Sequence, residues 1–285
     1  MNGRRERLNV MASAAPVLEA AALVTREYIA PGFWYLGCRA PKIARAARAA
    51  QFVAIDVPGE FSPRLPLGIW TAEADQVSFL FREWGDRTTR LARLHHNAEV
   101  SLLGPLGNAF EAPPEGARAI IAAGGLGIVP FWLLVKTLAA SAVDMHVVVG
   151  ARSKELIVGV DALTELGAKI HLCTDDGSAG RKGSVVDEVR DVARTGDVVY
   201  GCGPRAMLKA LCEFANAAGV ACQISMEETF GCSMGTCWGC VVPVKRESAQ
   251  GTQYPRAPDE RRAYDVARVC ADGTVFRAAD VLWPG

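Results

Sequence analysis

The sequence has no surplus of charge: lysine plus arginine and aspartate plus glutamate each number 31 in 285 residues. That balance removes any electrostatic drive towards nucleic acid or an anionic membrane, so small molecules and other proteins are the expected partners. Long apolar runs are missing too. The uncharged stretch from Ala119 to Val135 falls short of the roughly 18 residues that suggest a span, and it carries Gly124, Gly125, Gly127 and Pro130. A strand, a glycine turn and a helix explain it better. The apolar run Val10–Ala15 is too short for a signal peptide, and Pro16 and Glu19 follow it closely. The chain reads as soluble and cytoplasmic, with residues 1–15 a loose tail. No internal repeat or low-complexity tract is present. Histidine is scarce. His95 and His96 lie in a polar stretch, and His146 and His171 in predicted strands, so all four are read as structural. Nothing calls for a Ser/His/Asp or paired-carboxylate centre.

What is present divides the chain into parts. Residues 16–112 are mainly β. Short runs at Ala21–Tyr28, Phe33–Cys38, Gln51–Val57, Leu67–Trp70 and Gln76–Phe81 are separated by prolines and glycines, as in a small antiparallel barrel. Thr88–His96 has helical spacing. The run EAPPEG at Glu111–Gly116 is turn chemistry and marks a boundary. From 113 to 221 strand and helix alternate, which implies a parallel sheet with helices on both faces. Residues 222–285 are rich in cysteine, glycine and turn residues. The expected fold class is α/β multidomain: antiparallel β-barrel, parallel α/β domain and small C-terminal domain.

Nine cysteines, an odd number, argue against a full disulfide framework. Cys38, Cys173, Cys202, Cys212 and Cys222 are scattered in apolar contexts and read as small hydrophobes. The other four form a set: Cys232-x4-Cys237-x2-Cys240, then Cys270 after 29 intervening residues. C-x4-C-x2-C…C is the plant-type spacing for a [2Fe–2S] cluster. Gly231, Gly235 and Gly239 permit the tight turns such a loop needs. Zinc is the alternative, but four-cysteine zinc sites usually pair two C-x2-C knuckles, and here only one exists.

The glycines Gly124, Gly125 and Gly127 follow a predicted strand and open a helix, where backbone N–H groups can hold a pyrophosphate. A second turn, Gly201-Cys202-Gly203-Pro204, follows the strand Val198–Tyr200. Both stand at carboxyl ends of predicted strands, where open α/β sheets bind ligands. Cys202 is either a reactive thiol or a small residue beside a nicotinamide. Arg152 and Lys154 follow another strand end, a place for a 2′-phosphate or simply a solvated loop.

In order, the motifs are GPLGNAF (Gly104–Phe110), AGGLGIVP (Ala123–Pro130), GARSKEL (Gly150–Leu156), TDDGSAGRKG (Thr174–Gly183), YGCGP (Tyr200–Pro204), EETFGCSMGTCWGC (Glu227–Cys240) and VCADGTVF (Val269–Phe276). The set resembles the electron-transfer subunits of class 1B dihydroorotate dehydrogenase, within the ferredoxin–NADP reductase superfamily, from about residue 17 to the end. The resemblance implies an FAD-binding barrel, an NAD-binding α/β domain and a [2Fe–2S] domain. It also implies a partner, either the FMN-containing dihydroorotate dehydrogenase catalytic subunit or another redox subunit. The flavin motifs depart from the family's pattern. Its Arg-Pro-x-Ser reads Leu65-Pro66-Leu67-Gly68 here, with Arg64 one place early, and its Gly-x-Gly-Thr reads Gly85-Asp86-Arg87-Thr88. The expected flavin groove is lined by Arg64, Pro66, Leu67, Gly68, Thr88 and Thr89.

The expected function is electron transfer between NAD(P)H and a partner through FAD and the cluster, in pyrimidine biosynthesis. NADH gives up two electrons as hydride, a [2Fe–2S] cluster takes one at a time, and a flavin does both. Two alternatives remain open: a diaphorase-type subunit of another NAD(P)-linked complex, such as a hydrogenase, and a flavin-less iron–sulfur binding or regulatory subunit.

Overall fold

The structure is a computed structural model that describes residues 15–57, 63–245 and 264–283. Most of the expected tail therefore lies outside the described residues.

The first part is an antiparallel sheet of seven strands: β1 (Val17–Ala30), β2 (Phe33–Arg39), β3 (Phe52–Asp56), β4 (Leu65–Gly68), β5 (Ala72–Glu73), β6 (Gln76–Arg82) and β7 (Glu99–Leu106), in the order β4-β3-β7-β1-β2-β6-β5. The sheet rolls up. Trp70 N–H donates to Ser78 O at 2.8 Å and Ser78 N–H to Thr71 O at 2.9 Å, joining the end of β4 to β6. Helix α1 (Pro41–Ala46) was not legible as an element, because it is short. Pro41 begins it, and the buried Glu19 carboxylate accepts the N–H groups of Lys42 and Ile43. Helix α2 (Asp86–Ala92) follows Gly85, whose φ is +82°. The sequence predicts five strands here. The structure adds β5 and β7 and starts β4 at Leu65. Gly104 and Pro105 interrupt the alternation of β7 and hide it from a pattern search.

The second part is the sheet β11-β10-β9-β8-β12-β13-β16. Its members are β8 (Ala119–Gly124), β9 (Met145–Ala151), β10 (Lys169–Thr174), β11 (Arg181–Lys182), β12 (Val198–Cys202), β13 (Ala221–Ser225) and β16 (Val275–Arg277), and all but β16 run parallel. The central strands are continuous apolar runs because helices cover both faces. Those helices are α3 (Trp132–Ala140), α4 (Val160–Glu165), α5 (Val185–Val192) and α6 (Arg205–Ala218). Arg118 and Asp197, just before β8 and β12, form a two-pronged ion pair at 3.0 and 2.6 Å that ties the amino ends of those strands.

The last segment holds β14 (Val241–Val244), β15 (Asp265–Arg268) and the single-turn helix α7 (Val269–Asp272), with β14 and β15 paired antiparallel. It then returns to the parallel sheet as β16. The expected boundary at 221/222 falls inside β13. Among the described residues, no helix is long and apolar enough to cross a membrane.

Candidate functional site

The two glycine turns lie side by side at the carboxyl edge of the parallel sheet. Cys202 is in register with Ala123, so Gly203 and Gly124 continue as neighbours. A Cβ on Gly127 would lie 2.1 Å from the Cys202 carbonyl oxygen. One on Gly124 would strike Pro204 Cδ at 2.7 Å and Met207 Sδ at 2.8 Å, and one on Gly203 would strike Met207 Cε at 2.7 Å. The turns approach this closely only because side chains are missing. After Gly124 the chain runs through a 3₁₀ stretch, Gly125–Phe131, into α3, and after Pro204 it enters α6. Neither start has a side-chain cap on its first backbone N–H groups. Cys202 is buried, and that burial pushes its thiol well above its ordinary value. It is a packed small residue, not a poised nucleophile. Glu227, two residues beyond β13, is also held above the usual carboxylate range by desolvation. Arg152 is exposed, and Lys154 is fixed by its backbone N–H to Ser178 Oγ at 2.8 Å.

In the barrel, Leu65 and Leu67 stand opposite the buried Ile55 and Val53, while Pro66 and Gly68 stand opposite Ala54 and Phe52. Directly opposite residues share a face. Gly68 and Pro66 therefore point one way and Leu67 the other, into the core. Arg64 donates to the Ser101 carbonyl at 2.9 Å and hydroxyl at 3.2 Å, and its other nitrogen is 3.7 Å from Asp56. Thr88 Oγ1 accepts Trp84 N–H at 2.6 Å and sits 3.1 Å from Gly85 O, closing the first turn of α2, and Thr89 N–H donates to Gly85 O at 3.1 Å. Arg87, where the family has glycine, donates to the Pro63 carbonyl. The two altered motifs are thus adjacent, joined through Arg87.

The cysteine loop wraps back on itself. Ser233 and Trp238 have φ of +60° and Gly235 of +80°. Cys232 Sγ accepts the N–H groups of Met234, Thr236 and Cys237 at 3.5, 3.2 and 3.4 Å, and Cys237 Sγ accepts that of Gly239 at 3.4 Å. Cys240 and Cys270 place their sulfurs 3.3 Å apart. Desolvation raises the Cys232 thiol, but these hydrogen bonds outweigh it and bring it down to about 7. Burial first, and then Cys240, push Cys270 up to about 12. Two thiolates this close cannot both ionise without a cation between them. Among the described residues, no three potential ligands converge on one point; the Cys240 and Cys270 sulfurs meet, and Cys237 approaches Cys232 through its backbone N–H.

Three contacts not legible in the sequence join these parts. A Cβ on Gly68 would lie 3.0 Å from Val129 in the first glycine turn. Phe52, in register with Gly68, packs on Phe230 just before the cysteine loop, with ring centroids 5.1 Å apart. Asn108 exchanges two hydrogen bonds with the Val275 backbone, at 2.8 and 2.7 Å. The two motifs GPLGNAF and VCADGTVF therefore touch.

No family model matches the chain. Among known proteins it is 34% identical over 233 residues to the dihydroorotate dehydrogenase B (NAD(+)) electron transfer subunit of Caldanaerobacter subterraneus subsp. tengcongensis, covering 82% of this chain and 86% of that protein. It is 33% identical over 271 residues to the subunit of the same name from Bacillus caldolyticus, covering 93% and 98%. The chain belongs to this family. The match runs over nearly the full length of the Bacillus caldolyticus electron transfer subunit. Its fold is also that of a solved NADH-dependent reduced ferredoxin–NADP oxidoreductase, reported for flavin-based electron bifurcation, with TM-score 0.78, 26% identity and coverage of 92% and 90%. The cytochrome b5 reductase domain of Ulva prolifera nitrate reductase superposes with TM-score 0.59 at 17% identity, covering 76% of this chain and 96% of that one. That likeness concerns the fold alone. The resemblance read from the motifs and the ferredoxin-reductase-like architecture are both borne out.

Proposed function

We propose that this chain is an NAD(P)H-linked electron-transfer subunit serving a dihydroorotate dehydrogenase catalytic subunit in pyrimidine biosynthesis. The observation that carries this reading is Gly68. It stands where the flavin strand, the first glycine turn (through Val129) and the cysteine loop (through Phe52 and Phe230) meet. Elements that would hold three redox groups converge on one strand.

The residues fit the groups. The turns at Gly124, Gly125 and Gly127 offer backbone N–H groups to the pyrophosphate of NAD(P), and Gly201, Cys202, Gly203 and Pro204 border the nicotinamide. The outer face of β4, with Arg64, Pro66 and Gly68, and the start of α2, with Thr88 and Thr89, hold FAD. Leu67 supports that strand from the core side. Cys232 with Cys237, and Cys240 with Cys270, ligate a [2Fe–2S] cluster. The C-x4-C-x2-C…C spacing suits two irons, whereas a zinc site of four cysteines usually pairs two C-x2-C knuckles. Bound together, these groups convert a two-electron hydride donor into a one-electron source. The chain's own part is orientation. The glycines let the nucleotide lie against backbone, Cys202 fills the floor beneath it, and the N–H groups of the cysteine loop stabilise thiolate. We place the subunit in the cytoplasm, where NAD(P)H is at hand.

The test uses the purified full-length chain. Acid-extracted FAD, about two iron and two sulfide per chain, and NADH-dependent bleaching of both chromophores are the expected results. A protein with no flavin affinity supports the binding-subunit reading instead, which the altered motifs at Leu65, Gly68 and Arg87 make the specific rival.

A further inference from the structure

Arg268 is the largest fully buried side chain among the described residues, 1% exposed. It ends β15, two residues before Cys270. Its Nε and Nη2 donate to the two oxygens of Asp272 at 2.9 and 2.8 Å, and its own backbone N–H donates to Asp272 Oδ2 at 2.8 Å. The remaining arm faces the other way. Nη1 donates to Gly235 O at 2.9 Å, and the guanidinium lies 4.8 Å from the centre of the Trp238 ring. Gly235 and Trp238 both belong to the loop that carries Cys232, Cys237 and Cys240. Loop and α7 are in close contact: a Cβ on Gly235 would lie 2.7 Å from Ala271 Cβ and 2.9 Å from Arg268 Nη1.

A buried ion pair is weak support for stability, since apolar residues of the same volume usually do as well. This pair is also directional. The carboxylate sits on α7 and the guanidinium on the loop side, so the loop faces the positive end. A guanidinium keeps its charge at any accessible pH. Cysteines must be thiolates to act as ligands, so negative charge gathers on the loop and the turn that this cation joins. Charge and hydrogen bonds around the sulfurs set the potential of an iron–sulfur centre.

We propose that Arg268 is a positioning residue for the cluster. It clamps the cysteine loop onto α7 so that Cys240 and Cys270 meet, and it raises the potential of the group they hold, with Asp272 as a counterweight of opposite sign. The inference rests on the [2Fe–2S] reading of the four cysteines.

The experiment is a redox titration of the full-length, cluster-loaded chain, followed by electron paramagnetic resonance, together with the rate of iron loss to a chelator. At the wild-type midpoint, Arg268→Gln lowers the ratio of reduced to oxidised cluster about tenfold, equivalent to ~59 mV for a one-electron couple. Asp272→Asn moves it the opposite way, and the double variant returns near wild type. Arg268→Lys keeps the charge and the potential. It cannot reproduce the fork that grips Asp272 and Gly235 together, so it loses iron several-fold faster. A merely structural role would shift both single variants in the same direction or neither, and that result overturns the proposal. So does wild-type iron retention in Arg268→Lys. If Arg268→Gln does not fold, Asp272→Asn and Arg268→Lys decide the matter. A wild-type chain without iron and sulfide overturns the cluster reading itself, and is a different result from a loaded cluster whose potential ignores Arg268.

Discussion

At the two glycine turns the backbone bends sharply because side chains are absent; at the cysteine loop it bends although they are present. Gly124, Gly127 and Gly203 each sit where a Cβ would overlap a neighbour by close to an ångström or more. In the loop, Ser233 and Trp238 take left-handed φ values with their side chains in place, at a cost of about 1–2 kcal/mol each. Something must hold them there: three N–H groups on Cys232, the Arg268 contact to Trp238, and the Gly235 carbonyl. A site that binds by backbone needs emptiness, whereas one that binds by sulfur needs side chains gripped from behind.

The comparison breaks first at Gly127. Gly127→Ala puts a methyl group against the Cys202 carbonyl and costs about 3 kcal/mol, the upper end of overpacking. Gly125→Ala has open space and pays only for its φ of +57°, about 1–2 kcal/mol. Denaturant unfolding of the two variants reads the difference, and equal losses would show that the turns are not in contact.

A smaller effect is expected at the flavin strand. Arg64 already serves Ser101 and Asp56, so only part of its donor capacity is left for a pyrophosphate. Arg64→Ala should weaken FAD binding about tenfold, ~1.5 kcal/mol, the low end for a charged hydrogen bond. Flavin titration measures this, and unchanged affinity would leave Arg64 as a sheet clamp alone.

The smallest effect lies towards the amino ends of β9 and β10 in the parallel sheet, away from the glycine turns, and serves as their control. His146 Nδ1 is 3.0 Å from His171 Nε2, and His171 is 3.1 Å from Glu188. Burial lowers the His146 pKa, against the pull of Asp144 and with the push of Arg118, Lys169 and His171. The unfolded chain therefore binds its proton more readily than the folded one. Stability from this group is present above about pH 6.5 and is lost as pH falls below it. In His146→Gln, thermal unfolding should depend less on pH between 7 and 5, while NAD(P)H affinity stays unchanged. A shift in that affinity would link the two places.

Much of this was legible in the sequence, for a definable reason. The glycine turns, the cysteine spacing and the alternation of strand and helix are local patterns, and α6 (Arg205–Ala218) stands where that alternation continues after the second glycine turn. Helix α1 escaped because it is short and its N-terminus is held by Glu19, 24 residues away from Ile43. The contacts that join the three parts, Gly68 with Val129, Phe52 with Phe230 and Asn108 with Val275, escaped because each joins segments that no window contains. Arg268 escaped for the same reason: a lone arginine beside a cysteine says nothing until its burial and both of its partners are known.

The seam between Asn108 and Val275 has a consequence for how the protein is made. Its partners are 167 residues apart, and Thr274 reaches back 224 residues to the Ala50 carbonyl. At a synthesis rate of about 5–20 residues per second, Asn108 waits on the order of 10–30 s before Val275 exists. During that interval the barrel and the first strands of the parallel sheet can already be in place, since all of their strands up to β13 precede Val275. The last segment then docks on a finished scaffold and closes a very long loop. Assembly therefore has a built-in order, in which Cys270 can reach Cys240 only after the barrel strands and the first six strands of the parallel sheet have been synthesised.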